Sequence, residues 1–146
     1  DVFPVEPEKN GDAFNTPLQG LSNVLLTPHI GGSTEEAQEN IGEDVSIKLY
    51  QYLERGVSNG SHTIPSLSLP PVDGAHRILH IHKNVPGVLG AINTLLSKNK
   101  INIVGQYLKT NDEIGYVVLD VDSKLSKQAM TLLKEVKATV RVRMLY

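Results

Sequence analysis

The side chains in this sequence best suited to chemistry are three histidines and two asparagines. A neutral imidazole titrates near physiological pH, so His29 is a candidate base, and His82, on the same predicted strand as His80, is a candidate hydrogen-bond partner. The amides of Asn84 and Asn102 each offer donors and an acceptor, which suits a small polar ligand. Structural interpretations remain open for all five: His29 as a surface histidine, Asn84 as a turn or cap residue, and the others as solvent-facing strand positions.

Hydrophobic periodicity predicts the elements that must position four of these residues. Period-two alternation marks strands, and apolar residues at spacings of three and four mark amphipathic helices. The polar segment 111–113 lies between two strand-like runs and predicts a hairpin. Right-handed crossovers would place two helices on one face of a four-stranded antiparallel sheet, an α+β, ferredoxin-like βαββαβ fold. The expected order is strand 76–82, a helix from about Pro86, strands 101–110 and 114–122, a helix over about 125–136, and strand 139–145.

The same alternation predicts the faces of the outermost strands in sequence. The first strand divides into a face with Leu79 and Ile81 and a face with Ile78, His80 and His82. In the last strand, we expect Val140, Val142 and Met144 to face inward. Arg141 and Arg143 are expected to face outward. A domain of about 70 residues has a marginal core, so dimerisation would help to stabilise it.

The first half of the chain has a different character. Residues 1–23 are punctuated by proline, asparagine and glycine, which excludes long helices and strands, and 23–27 is a short apolar run that predicts a buried strand. Ser33 and Glu36 match a capping box for a helix over 34–54, with Gly56 as its stop. The apolar stripe of this helix has no evident partner in the chain. Residues 57–74 are rich in Pro, Gly and Ser and predict a linker.

Composition excludes several classes of protein. The net charge is −2, from 14 Lys and Arg against 16 Asp and Glu, without the basic excess that a nucleic-acid partner requires. No cysteine is present, which excludes disulfides and thiolate zinc sites, and we expect no metal site. No apolar run approaches the ~20 residues that span a bilayer, so we expect a cytoplasmic protein. The chain opens on Asp1 without Met, which we interpret as a fragment of a longer protein.

Two motifs give the sequence a family resemblance over nearly its whole length. His80-Ile81-His82-Lys83-Asn84-Val85-Pro86-Gly87-Val88-Leu89, followed by Ile101-Asn102-Ile103, resembles the ACT regulatory domain of bacterial phosphoglycerate dehydrogenases. Asp1-Val2-Phe3-Pro4-Val5-Glu6-Pro7, followed by Leu26-Thr27-Pro28-His29-Ile30-Gly31-Gly32-Ser33-Thr34, resembles the end of the catalytic unit of NAD-dependent D-2-hydroxyacid dehydrogenases. The resemblance implies an ACT domain at 75–146. It also implies that 1–56 is the C-terminal remnant (strand, loop and long helix) of an α/β catalytic unit, joined by a linker at 57–74.

This resemblance implies roles for residues near His29. His29 would be the catalytic base and Glu6 its carboxylate partner, which orients the ring and stabilises the imidazolium. Asp1 would accept from the nicotinamide carboxamide of NAD, and His29, Ile30, Gly31 and Gly32 would line the cofactor. The substrates would be 3-phosphoglycerate and 3-phosphohydroxypyruvate. No Gly-x-Gly-x-x-Gly turn occurs in the sequence, so we expect the chain by itself to bind NAD poorly and to be inactive.

The resemblance also implies a site for L-serine between two ACT domains that pair edge to edge. His82 and Asn84 would come from one subunit and Asn102, with Ile103, from the other, while the helix near Pro86 would present free amides to the carboxylate. Serine would favour one arrangement of a homodimer, within a tetramer of the parent enzyme, and Gly31-Gly32 would act as a hinge. Two alternatives remain: a free-standing amino-acid-binding or dimerisation module without a catalytic role, and an effector such as glycine or a branched-chain amino acid.

Overall fold

The computed structural model describes residues 1–9 and 11–145, and the chain divides into two compact units, Asp1–Val45 and Ser46–Tyr146. A long helix continues from the first unit into the second. The second unit contains every strand found among the described residues. The elements are α1 (Glu35–Arg55), β1 (Ala75–Lys83), α2 (Val88–Lys98), β2 (Ile103–Thr110), β3 (Ile114–Asp122), α3 (Ser126–Lys134, after a 3-10 turn at Ser123–Leu125) and β4 (Thr139–Met144).

The four strands form one antiparallel sheet in the order β2-β3-β1-β4. The hairpin turns at Asn111, whose side-chain oxygen accepts hydrogen bonds from the backbone amides of Glu113 and Ile114 at 3.0 and 2.8 Å. Both helical crossovers connect strands that are not consecutive in the sheet. The βαββαβ order expected from periodicity is confirmed.

One face of the sheet carries the main hydrophobic core, against α2 and α3. The apolar sides of the two helices meet even-numbered residues of β1 and odd-numbered residues of β3, as period-two alternation requires. The buried members of this core are Ile78, Val88, Ile92, Leu96, Ile101, Val117, Leu119, Val121, Ala129, Leu133 and Val136.

The opposite face of the sheet is covered by the segment between α1 and β1. Residues 57–74 contain no helix or strand, yet Val57 and Leu69 are buried against Leu79, Tyr116 and Val118 of the sheet. Ser58 is 3% exposed, and its hydroxyl donates to the carbonyl of Pro65 at 2.7 Å. The segment expected to be a linker is therefore part of the fold of the second unit. The domain boundaries proposed from the sequence remain a prediction.

Three sheet side chains hold the carboxyl end of α1. The Tyr116 hydroxyl donates to the carbonyl of Gly56 at 2.6 Å, and Arg77 and Arg143 donate to the carbonyls of Arg55 and Leu53 at 3.0 Å each. The last carbonyls of a helix lack partners within the helix and carry partial negative charge, so two guanidinium groups are favourable there. Gly56 takes a φ of +73° immediately after the helix, which confirms it as the predicted stop.

Four local predictions are wrong, each for a physical reason. The side-chain oxygen of Thr34 accepts from the amide of Ala37 at 3.1 Å, so Thr34 is the cap of α1 in place of the Ser33 and Glu36 pair. Residues 23–27 form no strand and Leu25 is 95% exposed, because the described part of the first unit offers no neighbouring strand to pair with. Pro86 lies in a turn, and α2 begins at Val88 after Gly87 at a φ of +89°.

The fourth correction concerns Val140, which is 58% exposed and does not face inward. The pairing of β1 with β4 shifts register between Ile81 and His82, so that His82 lies opposite Thr139. Such a bulge breaks the alternation at this point. The inward position that Val140 was expected to fill is taken by Thr139, while Val142 and Met144 pack against the core as predicted.

The long helix leaves much of its apolar stripe in solvent. Ile41, Val45 and Leu49 are 47%, 55% and 56% exposed. Across the described residues, no helix is both long enough and apolar enough to cross a membrane.

Candidate functional site

His82 lies near the end of β1, almost completely buried at 3% exposure. Its Nδ1 is 2.8 Å from the carbonyl of Lys83, which can only accept, so in the neutral ring Nδ1 carries the proton and Nε2 is bare. Its partner across the β1–β3 pair is Gly115, and a Cβ at Gly115 would overlap the His82 ring. The missing side chain of Gly115 thus makes the space that the imidazole occupies.

Asn84 follows β1 and is exposed. Its amide nitrogen donates to the carbonyl of Asn111 at 2.7 Å, and its backbone amide donates to the carbonyl of Glu113 at 2.8 Å. Both bonds tie the end of β1 to the hairpin turn. The interpretation of Asn84 as a turn residue therefore has support, and its side-chain oxygen is the atom that a ligand would use.

Asn102 and Ile103 lie at the other end of the sheet. Asn102 is exposed, and its carbonyl accepts from the amide of Asp122 at 3.3 Å, whereas the side chain of Ile103 packs against the core. Asn84 is bonded to Glu113, immediately before β3, and Asn102 is bonded to Asp122, the last residue of β3. These two bonding partners are nine residues apart in the sequence. At ~3.3 Å per residue this corresponds to roughly 30 Å. One chain does not bring Asn84 and Asn102 together.

His80 was considered an exposed strand residue as one alternative, but it is completely buried on the same face of β1 as His82. Its Nε2 is 2.8 Å from the Thr139 hydroxyl oxygen, and its ring lies 5.6 Å from the His82 ring. Burial, assisted by the neighbouring His82, lowers the pKa of His80 from 6.5 to about 4. The signal for this burial was present in the sequence, since alternation places His80 on the face of Ile78.

In the first unit, His29 and Glu6 form a hydrogen-bonded pair. His29 Nδ1 lies 2.9 Å from Glu6 Oε2, and the other carboxylate oxygen of Glu6 accepts from the backbone amide of Phe3 at 2.8 Å. The bond to His29, followed by the bond to Phe3, lowers the pKa of Glu6. An ionised carboxylate can only accept, so His29 donates through Nδ1 and its Nε2 is the nitrogen available as a base.

The other residues expected at the cofactor lie close to this pair. Ile30 helps to line a cavity of about 640 Å³ that also includes Phe3, Glu6 and His29. A Cβ at Gly31 would lie 3.4 Å from a carboxylate oxygen of Asp1, so these two residues are in close proximity. Gly32 follows in the turn before α1. The sequence has no glycine-rich turn for the pyrophosphate of a dinucleotide.

Known proteins resemble this chain both in the second unit and over its full length. Residues 78–143 match a protein family described as the AHAS small subunit-like ACT domain. D-3-phosphoglycerate dehydrogenase of Haemophilus influenzae is 48% identical over 146 residues, which cover all of this chain and 36% of that protein. The enzyme of the same name from Escherichia coli K12 is 47% identical, again over all of this chain and 36% of its own length. The chain thus spans about a third of the length of these curated relatives.

Among solved structures, the ACT domain of GTP pyrophosphokinase from Chlorobium tepidum is similar, with 21% sequence identity and a TM-score of 0.44. The similarity covers 50% of this chain and 99% of that one.

Proposed function

We propose that the second unit of this chain binds L-serine and regulates an NAD-dependent dehydrogenase. The premise is that the chain belongs to the D-3-phosphoglycerate dehydrogenase family and carries an ACT domain. The effector site lies between two copies of the domain. His82 and Asn84 come from one copy, and Asn102 and Ile103 come from the other. The parent protein is a homodimer through its ACT domains, assembled further into a tetramer.

The observation that carries this proposal is the position of Asn84 and Asn102 at opposite ends of one sheet. A small amino acid spans only a few ångströms, so a single chain cannot close a pocket around it with both amides. Two copies related by a two-fold axis bring one end of the first sheet beside the other end of the second. A shared site is the arrangement in which both residues contact the same ligand.

Each group in this site suits one part of L-serine. The amides at the start of α2 have no partners within the helix and attract the carboxylate. The side-chain oxygen of Asn84 accepts from the ammonium, because its amide nitrogen already donates to Asn111. Asn102 from the other copy supplies a donor and an acceptor for the remaining polar groups. Ile103 contributes its backbone, since its side chain packs in the core.

The first unit belongs to the catalytic part of the parent enzyme in this proposal. His29 Nε2 takes the proton of the 3-phosphoglycerate hydroxyl, and Glu6 holds the ring through Nδ1 and stabilises the imidazolium. Bound NAD would accept the hydride, with Asp1 and residues 30–32 at its nicotinamide end. The 146 residues contain no phosphate-binding turn, so we expect no turnover by this chain alone.

Calorimetric titration of the chain tests the effector assignment. We expect L-serine to bind with one molecule per chain, and glycine, L-alanine and L-valine to bind more weakly. Replacing Asn84 or Asn102 by Ala should weaken binding at least tenfold, because each substitution removes a buried polar contact worth about 1.4 kcal/mol or more. Asn93→Ala is the matched control, since Asn93 is an amide on α2 that pairs with Gln106.

A mixing experiment tests whether the site is shared. Asn84→Ala chains and Asn102→Ala chains each lack both sites as pure dimers. A mixed dimer has one intact site, so random mixing should restore about a quarter of the wild-type sites. No recovery after verified exchange of subunits would contradict the shared site, and tighter binding of another amino acid would contradict serine as the effector.

A further inference from the structure

The effector site proposed above has a second, deeper layer that consists of His80, Thr139 and Leu133. The Thr139 hydroxyl donates to the carbonyl of Leu133 at 3.1 Å, so its oxygen can only accept from His80 Nε2, which is 2.8 Å away. His80 therefore carries its proton on Nε2, and its Nδ1 is bare.

His82 has the opposite tautomer. Its Nδ1 donates to the Lys83 carbonyl, which leaves Nε2 without a proton. Both bare nitrogens, His80 Nδ1 and His82 Nε2, are buried, and no donor among the described residues reaches either of them. A buried acceptor without a donor costs free energy, which a ligand donor can recover.

The rings of the two histidines lie 5.6 Å apart with an angle of 35° between their planes. The neighbours of His80 from every packed element are apolar or hydroxyl groups: Val117 from β3, Val142 and Thr139 from β4, and Leu133 from α3. The buried side chains of α2 are Val88, Ile92 and Leu96. His82 is thus the titratable group that faces His80, and a proton on either imidazole opposes a proton on the other.

We infer that His80 is a positioning residue of the effector site. Held by the Thr139 hydroxyl, which is itself bonded to the Leu133 carbonyl, His80 packs beside His82 and keeps the His82 ring in place with a bare Nε2. The effector therefore binds to His82 through a hydrogen-bond donor, which is its ammonium or hydroxyl group. This inference rests on the proposed function, because it needs His82 to contact the effector. The lowered pKa of His80 agrees with it, since the inner ring stays neutral.

The test combines three chains: wild type, Thr139→Val, which keeps the shape but removes the acceptor, and Thr139→Ser, which keeps the acceptor. Long-range ¹H–¹⁵N spectra of the ring nitrogens should give a protonated Nε2 for His80 and a protonated Nδ1 for His82 in wild type. Thr139→Val should alter the His80 signals and weaken L-serine binding several-fold, and Thr139→Ser should restore both. His80→Phe, which keeps the ring volume, should reproduce the loss if Thr139→Val fails to fold.

The outcomes separate this inference from the function on which it depends. If wild type binds L-serine but Thr139→Val and His80→Phe bind it with the same affinity, the positioning role is wrong and the effector site stands. The reversed tautomers would also overturn the inference. If wild type binds no amino acid at any pH, the proposed function fails and the inference fails with it.

Discussion

The guanidinium group of Arg77 donates to both carboxylate oxygens of Asp120, at 2.7 and 2.8 Å, across the β1–β3 pair. Both residues are at most 2% exposed, and they lie on the sheet face that residues 57–74 cover. Arg77 also donates to the carbonyls of Arg55 and Pro70, at 3.0 and 3.1 Å. One buried ion pair thus connects the sheet, the end of α1 and the covering segment.

Replacing Asp120 by Asn should destabilise the second unit strongly. The substitution removes the carboxylate charge that faces the buried Arg77 guanidinium, and breaking a buried ion pair on one side typically costs about 3–5 kcal/mol. Urea unfolding followed by circular dichroism measures the change. Asp112→Asn in the exposed hairpin turn is the control and should change stability little. The double substitution Arg77→Met with Asp120→Leu should be less destabilising than Asp120→Asn, and equal losses would contradict the role assigned to the charge of Asp120.

Removing the hydroxyl of Tyr116 should loosen the end of α1. Tyr116 is fully buried, burial raises the pKa of its hydroxyl, and it donates to the Gly56 carbonyl at 2.6 Å. Tyr116→Phe leaves that carbonyl without its donor, at a cost of about 1–3 kcal/mol. Tyr50→Phe, at a position 62% exposed, is the control. Amide hydrogen exchange should accelerate at residues 52–58 in Tyr116→Phe but not in Tyr50→Phe. Unchanged exchange at these residues in Tyr116→Phe would contradict the prediction.

The sequence predicted those parts of the fold that depend on local periodicity. The two faces of β1, with Leu79 opposite to Ile78, follow directly from alternation, and the hairpin follows from the polar residues after Thr110. Residues 57–74 carried no periodicity. Their burial is determined by the apolar sheet face formed by Leu79 and Tyr116, which is a tertiary property.

The long-range polar contacts were not predictable from spacing. Arg77 and Asp120 are 43 positions apart, and only the register of β1 on β3 makes them partners. The resemblance located the candidate residues, and the His29–Glu6 hydrogen bond agrees with the pairing expected from it. The place of Thr139 beside His80 depends on a register shift that alternation cannot reveal.

Gly115 should be intolerant of any side chain. A Cβ at this position would overlap the His82 ring, so Gly115→Ala must displace the imidazole or the strand. We expect a loss of stability of about 1–3 kcal/mol from overpacking. L-serine binding should weaken as well. Gly90→Ala is the matched control, because nothing lies within 4 Å of a Cβ there and alanine favours the helix. Normal serine affinity in Gly115→Ala would show that the position of His82 does not matter.

The buried imidazole of His80 should make the stability of the fold depend on pH. The folded-state pKa is about 4 and the ordinary value is 6.5, so between these values the unfolded chain binds a proton that the folded chain does not. The contribution is therefore complete above pH 6.5 and is lost as the pH falls towards 4. The difference, 6.5 − 4 = 2.5 pKa units, corresponds to roughly 3 kcal/mol.

Urea unfolding at pH 7.5, 5.5 and 4.5 tests this dependence on wild type and two variants. His80→Gln removes the titrating group and should lose less stability than wild type between pH 7.5 and 4.5, whatever its stability at pH 7.5. His62→Gln, which replaces a histidine at an exposed position before β1, is the control and should retain the wild-type slope. Equal slopes for His80→Gln and wild type would mean that His80 takes up its proton equally in the folded and unfolded chains, contrary to its burial beside His82.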